Sequence, residues 1–184
     1  MQALNSVPVI KTIEPASCFE NLQFISKNPD QTIDYYETII SSGDTSNRNY
    51  WYLGLGYLLQ GRELDAQATW FIPFEDAIDT DLPTLTSDLA AILDRSAAEE
   101  FAADNLDNAW LISQHLQEID ATHLNNLCRF ILLEIRLDRF TLDILVEWEV
   151  TEIVATSDTG EVDLELLAEL LRSLLIFPSV ATSE

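Results

Sequence analysis

The chain has 184 residues, 47% of them hydrophobic, and its 32 acidic and nine basic side chains give a formal net charge of -23. This excess of negative charge repels a phosphate backbone, so the composition argues against nucleic-acid binding. The apolar runs are short, and residues 1–9 lack a basic start followed by an apolar core, so we predict neither a membrane span nor a signal peptide and expect a cytoplasmic protein.

The acidic side chains are spread along the chain as on solvated helix faces, and they do not form one low-complexity tail. This pattern is typical of a soluble surface, and a basic partner protein or basic neighbouring domain is the alternative. Cys18 and Cys128 belong to no Cys-x-x-Cys or His-paired zinc spacing, so we predict buried thiols without a disulfide or a metal.

The first clear helix signal begins at Asn28, a favourable N-cap, and Pro29, which suits the first helical position. Apolar side chains recur at helical spacing until Ser42 and Gly43 stop the helix, at Ile33, Tyr36, Ile39 and Ile40. A degenerate helix before it is indicated by Phe19, Leu22 and Phe24.

Residues 47–72 predict an antiparallel helix pair. Thr45 or Ser46 caps a helix that runs to about Gln60, and Gly61 turns the chain. A second helix follows from Glu63 to about Ile72, where we expect Pro73 to interrupt it.

The residue types in this pair have the spacing of a tetratricopeptide repeat, with Tyr50, Leu53, Gly54, Tyr57, Gly61, Ala66 and Trp70 in order. Gly54 and Ala66 would let the two helices approach closely, while the aromatic rings fill the space around them. The spacing therefore resembles that of helical-repeat binding proteins.

Beyond Pro73 the pattern degenerates into an acidic, turn-rich stretch at residues 75–83. Thr86 or Ser87 then opens a helix to about Arg95, and Ser96 with Glu99 offers a capping box for another. Two more helices are indicated, one closed by Ala109, Leu116 and Ile119, and one that follows a Thr122 cap with Leu124, Leu127, Ile131 and Leu132.

The remaining residues predict a short helix at 141–148, an extended stretch at 150–156 and a final amphipathic helix at 162–177. We therefore predict one all-α domain over residues 1–184, an antiparallel helical-repeat array of about seven to nine helices. Residues 47–72 are its best repeat, 28–43 and 87–137 are degenerate repeats, and 141–177 supply the C-terminal helices.

A wider resemblance is carried by five parts of the sequence, namely residues 50–61, Glu63, the Ala-Gln-Ala-Thr-Trp segment at 66–70, and the pairs Ala109-Trp110 and Gln114-His115. Most of residues 28–177 resembles the N-terminal helical region of cyanobacterial-type transferases, namely SPINDLY-like O-linked N-acetylglucosamine transferases and FkbM-family methyltransferases. The resemblance implies a non-catalytic region that precedes a catalytic one. The chain has neither a glycine loop for a methyl donor nor a sugar-nucleotide site, so no active residue carries over and no cofactor is expected.

Two acidic patterns could carry chemistry. Asp158-Thr159-Gly160 is the aspartic-protease tripeptide, but such proteases need an all-β scaffold, so a turn that enters a helix is favoured. Asp76, Asp79 and Asp81 lack the central Gly and distal Glu of a calcium loop, so a solvated loop is favoured.

The two histidines carry no clear chemical signal. His115 and His123 have no cysteine or carboxylate at ligand spacing on a common helix face, so we expect structural or surface histidines. The Gly-x-Ser-x-Gly motif of a serine nucleophile is absent. We therefore predict no enzymatic activity, no metal and no cofactor for this chain.

In the repeat register, five residues occupy the first-helix positions that line a concave groove, namely Arg48, Trp51, Leu55, Leu58 and Leu59. Only Arg48 is basic, which disfavours the chaperone tails that Lys and Asn clamp in such repeats. The apolar groove would hold a hydrophobic helix, or the same residues are core covered by a neighbouring helix. The sequence leaves both interpretations open.

Together these observations predict a helical domain for protein–protein interaction or scaffolding. Its partner would be another protein or a domain of the same protein, basic or presenting an apolar helix, with a homodimer as one form. The alternative is a substrate-holding or dimerising part of a glycosyltransferase or methyltransferase, which a reading frame that continues past Glu184 into a catalytic domain would favour.

Overall fold

The computed structural model of this protein describes residues 22–75 and 77–139, and every regular element in these stretches is an α-helix. The seven described helices are α1 (Leu22–Lys27), α2 (Pro29–Ser41), α3 (Asn47–Leu59), α4 (Glu63–Glu75), α5 (Leu82–Ala102), α6 (Leu106–Ile119) and α7 (Leu124–Arg136). The predicted all-α helical array is therefore confirmed.

Successive helices pack side by side, and α3 lies at the centre of the first half. It contacts α2 and α4 extensively and also touches α1 and α5, while α6 packs between α5 and α7. Gln60 donates to Asp30, and the Tyr52 ring stacks on Tyr36 at a centroid distance of 5.6 Å. The first pair joins the end of α3 to the start of α2, and the second joins the first half of α3 to the second half of α2. The two helices are therefore antiparallel.

The α3–α4 pair packs as its residue spacing predicted. Trp70 is buried, and its indole N–H donates to the backbone carbonyl of Trp51 at 3.0 Å. A Cβ added to Gly54 would lie 2.2 Å from the Trp70 Nε1 atom, so only glycine fits beneath this ring. Ala66 is also fully buried. The close helix approach at Gly54 and Ala66 is confirmed.

The predicted end of α4 is wrong, because the helix continues through Pro73 to Glu75. Pro73 lies in the last turn, where its missing amide removes one backbone hydrogen bond to the turn before it. The helix ends two residues later, so few further bonds depend on that turn.

The predicted helix break at Ser96 is also wrong. One helix, α5, runs for 21 residues from Leu82 with a proline in its first turn, and Thr86 and Ser87 lie within it. Its buried apolar residues recur every four positions without interruption, at Leu85, Leu89, Leu93 and Ala97. This continuous stripe holds the whole segment on the core.

The start of α7 lies one residue later than predicted. His123 is the N-cap, and its Nδ1 accepts a hydrogen bond from the backbone N–H of Asn126 at 3.3 Å. Thr122 instead donates its backbone N–H and its hydroxyl to Asp120 Oδ1, at 3.0 and 2.8 Å. Thr122, which we expected to cap the helix, is therefore part of a turn closed by the Asp120 side chain.

Four helix ends share one turn geometry. The chain adopts a left-handed conformation at Gly43 and Gly61 in the first half, and at Asp104 and Asp138 in the second. After Gly61, for example, the backbone N–H of Arg62 donates to the Tyr57 carbonyl at 2.9 Å. This arrangement satisfies the last carbonyls of each helix.

Several predictions lie outside the described residues. They concern Phe19, Cys18, Asp76, the tripeptide 158–160, and the elements at 141–148, 150–156 and 162–177. Cys128 lies within the described residues and is buried on α7.

Candidate functional site

The five residues predicted to line a groove do not form one surface. Trp51 and Leu55 are each 1% exposed and Leu58 is 0% exposed. Leu59 is half-buried, whereas Arg48 is exposed. Of the two interpretations that the sequence left open, this burial favours core for Leu55 and Leu58. A signal for it was present, because residues 51–59 are apolar all round the helix, as in a buried helix.

Arg48 and Trp51 are among the residues that line an open cleft of about 500 Å³ between α3 and α5. We call it the α3–α5 cleft, lined by Asn47, Arg48, Trp51 and Tyr52 from α3 and by Asp88, Ala91, Ile92 and Arg95 from α5. Arg95 was not among the predicted site residues, because a helix break at residue 96 does not place α5 against α3.

Two arginines that line this cleft donate to one hydroxyl group. Arg48 Nη2 donates to the Tyr52 hydroxyl at 3.3 Å, and Arg95 Nη2 donates to the same oxygen at 2.8 Å. The Arg48 guanidinium also lies 5.4 Å from the Tyr52 ring centroid. Tyr52 is itself 1% exposed and stacks on Tyr36, so the hydroxyl is held in a fixed position.

A different surface lies on α4, which has a second apolar face opposite the one that carries Trp70. We call it the α4 face, made of Leu64, Ala68, Phe71 and Ile72, all exposed. Leu64 is 81% and Phe71 is 61% exposed, which is unusual for side chains of this size on one helix face. A helical wheel of α4 would have shown this face, since Leu64 and Phe71 are seven residues apart.

The α4 face borders a small groove of about 180 Å³, here named the α4–α6 groove. Phe71 and Phe74 from α4 and Ile119 from α6 form its apolar walls, and Gln67 and Glu118 lie at its edges. Buried His115 lines it from below, with its Nδ1 3.2 Å from Glu118 Oε2 and its Nε2 3.4 Å from Glu63 Oε1.

The prediction that His115 has no carboxylate at ligand spacing on its helix face is wrong, because Glu118 lies three residues further along α6. Both histidines nevertheless occupy structural positions. His115 packs edge-on against the Trp70 ring at 5.7 Å and joins α4 to α6, while His123 begins α7. Over residues 22–75 and 77–139, no group of three or more His, Cys, Asp or Glu side chains is placed to hold a metal ion. None of the helices described in these stretches is both long enough and apolar enough to cross a bilayer.

One partly buried hydrogen bond between α2 and α3 changes the proton affinity of a tyrosine. Burial, together with the hydrogen bond that Tyr57 donates to Glu37, raises the pKa of the Tyr57 phenol to about 12. The Arg62 guanidinium lies over the same ring, 4.2 Å from its centroid. This cluster ties α2 to the turn after α3 and is not part of either surface described above.

Comparison with protein-family models, with curated proteins and with solved structures found no match to this chain. The resemblance to the helical region of transferases therefore stays a prediction, as does the tetratricopeptide assignment.

Proposed function

We propose that this chain is a non-catalytic helical array that binds another protein, and that the α4 face is its docking surface. The observation that carries this proposal is the exposure of Leu64, Phe71 and Ile72 at 81%, 61% and 43% on one helix. A contiguous exposed apolar surface is typical of an interaction site. Burial of one Leu or Phe side chain stabilises a complex by about 1.5–3 kcal/mol.

The shape of the surface favours a helical partner. Phe71 belongs to both the α4 face and the α4–α6 groove, and Phe74 and Ile119 add apolar lining to that groove. Apolar side chains at successive turns of a partner helix would pack along α4 and into this groove, as when an amphipathic helix lies in a hydrophobic groove.

Charge supports a basic partner. Glu118 edges the groove, Glu75 follows Phe71 by one turn of α4, and the chain as a whole carries a net charge of -23. Lys or Arg residues flanking the apolar face of a partner helix would meet these carboxylates. Complementary charge of this kind raises association rates and selects partners.

A synthetic amphipathic peptide of Leu and Lys, labelled for fluorescence anisotropy, tests the proposal. We expect Leu64→Ser and Phe71→Ser each to weaken its binding about tenfold or more, because each removes an apolar contact. The melting temperature of either variant should stay near that of the wild type, since both side chains are exposed.

Two controls separate this from general attraction to an acidic protein. Asp34→Ser removes one exposed carboxylate from α2 and should leave binding almost unchanged. A scrambled peptide of the same composition, which has no apolar face, should bind much more weakly. Equal binding of both peptides, or unchanged binding to Phe71→Ser, would contradict the proposal. Self-association that Phe71→Ser abolishes in sedimentation would instead make a second copy the partner.

A further inference from the structure

The α4–α6 groove has the size of one side chain. Its volume is about 180 Å³, and a protein cavity of about 150 Å³ holds one benzene-sized group. The lining residues that are not buried are Gln67, Phe71 and Phe74 from α4 and Glu118 and Ile119 from α6. A partner can therefore place a single large side chain against these five residues.

Two aromatic rings line the apolar part of this groove. Phe71 is 61% exposed, so its ring gains contact area when a partner covers it. The Phe74 ring is half-buried, and its packing against Trp51, with ring centroids 5.7 Å apart, fixes its position. A third ring beside these two would make edge-to-face or offset contacts that an aliphatic side chain lacks. The groove therefore favours an aromatic side chain over Leu or Ile.

The groove also has a negatively charged edge. Glu118 has a side chain that is 56% exposed, and its Oε2 atom lies 3.2 Å from His115 Nδ1. Glu63 has a side chain that is 52% exposed, and its Oε1 atom lies 3.4 Å from Nε2 of the same ring. His115 is buried and packs on Trp70, so the imidazole keeps both carboxylates beside the groove. A carboxylate accepts several hydrogen bonds, so Glu118 can also accept from a partner.

The charged edge and the apolar lining are close enough for one helix to contact both. Glu118 directly precedes Ile119, which lines the apolar part. A partner helix advances about 5.4 Å per turn. A Lys or Arg one turn from an aromatic side chain would therefore reach Glu118 while the ring lies in the groove.

We propose that the α4–α6 groove selects the partner of the α4 face by accepting one aromatic side chain, with a Lys or Arg one turn away paired to Glu118. Selection of this kind rests on the proposed function, because it needs a helix docked on the α4 face. A helix with aliphatic side chains alone would still dock there, but it would make fewer contacts in the groove.

Fluorescence anisotropy with three labelled peptides tests this selection. All three are amphipathic helices of Leu and Lys, and they differ only in carrying Phe, Leu or Ala at one central apolar position. We expect the intact chain to bind the Phe peptide about tenfold more tightly than the Ala peptide, and also more tightly than the Leu peptide. In Ile119→Ser, which removes an apolar side chain from the groove, the preference for Phe over Ala should fall below about threefold.

A second arm tests the charged edge. The two lysines one turn before and one turn after the central Phe are replaced together by Gln. This change should weaken binding to the wild type several-fold and leave binding to Glu118→Gln almost unchanged, because that variant has already lost the pair. Asp34→Asn removes one exposed carboxylate from α2 and is the matched control, in which the lysine replacement should keep its full effect. Thermal melts establish that each variant is folded.

Leu64 separates this selection from docking itself, because it lies on the α4 face but outside the groove. Leu64→Ser should weaken the binding of all three peptides alike. If it does so while the wild type binds the Phe and Ala peptides equally, docking stands and selection by the groove is overturned. An unchanged preference for Phe in Ile119→Ser would also overturn it, since the ring would then lie elsewhere. Unchanged binding of every peptide to Leu64→Ser would overturn docking on the α4 face, and selection with it.

Discussion

The α3–α4 pair and the helices α5–α7 are held together by different kinds of contact. Between α3 and α4, aromatic and aliphatic side chains close on Gly54, and the Trp70 indole makes the buried polar bond. Between α5, α6 and α7 the interior also holds polar and charged side chains, namely Ser96, Glu100, Ser113, Asn126, Arg129 and Glu134.

The polar half depends on specific partners. Arg129 donates to Asp94 at 2.9 Å, the Asn126 amide donates to the Ser113 carbonyl at 3.0 Å, and the Trp110 indole donates to Glu134. A buried polar group that loses its partner lowers the free energy of unfolding by the cost of its desolvation. The loss of an apolar contact lowers it in proportion to the volume of the cavity that is left. The two halves should therefore respond differently to substitution.

The largest effect is expected at the centre of the apolar half. Trp70→Ala removes the ring above Gly54 and leaves a cavity, so it should lower the free energy of unfolding by about 3–5 kcal/mol. Phe71→Ala, one residue away and 61% exposed, is the matched control and should change it little. Urea unfolding compares the two. Similar losses in both variants would mean that the ring is not part of the core.

The polar half should show an asymmetry between two partners of one ion pair. Asp94→Ala leaves the buried Arg129 guanidinium without its carboxylate, which should destabilise the protein by about 3 kcal/mol. Arg129→Met removes the buried charge and keeps much of its volume, so it should cost less. Asp65→Ala breaks the exposed pair with Arg62 and serves as the control with little effect. A larger loss for Arg129→Met than for Asp94→Ala would contradict this account.

The contrast between the halves also explains what the sequence could predict. The spacing of Gly54, Ala66 and Trp70 is a local steric pattern, so it predicted both the helix pair and its packing. Ser96 looked like a helix cap because its type is common at caps, yet the apolar stripe of Leu89 and Leu93 continues past it. Capping signals are weak preferences, and burial of a continuous face outweighs them.

The candidate sites were harder to predict for the same reason. Arg48 could be placed on an exposed face from its register, but its meeting with Arg95 at Tyr52 depends on how α3 and α5 pack. No spacing within one helix encodes a contact between residues 43 positions apart. The α4 face, by contrast, is a property of one helix, and the sequence of α4 contains it.

The raised pKa of Tyr57 makes the free energy of unfolding depend on pH in the alkaline range. Its folded pKa of about 12 lies above the ordinary value of 10.0, so between these pH values the unfolded chain loses this proton while the folded chain keeps it. The contribution of the Tyr57 phenol to the free energy of unfolding is thus fully present below about pH 10 and is lost as the pH rises toward 12. Tyr57→Phe should make the alkaline fall in unfolding free energy shallower. An alkaline fall of the same steepness in the wild type and in Tyr57→Phe would contradict the assignment.

The smallest effect concerns the helix ends, where the first half uses glycine and the second uses aspartate. Asp138 has a φ of 55° and Gly61 a φ of 74°, and both residues are exposed. A left-handed conformation costs an L-residue roughly 1–2 kcal/mol, less for Asp, whereas glycine adopts it freely. Asp138→Gly should therefore stabilise the protein by about 0.5–1 kcal/mol, because the bond from Arg139 N–H to the Glu134 carbonyl is kept at 2.8 Å.

Gly61→Ala is the converse test, since a Cβ there meets no atom within 4 Å and its cost would come from the backbone alone. Thermal melts that show both variants unchanged would mean that these turns relax to another conformation in solution.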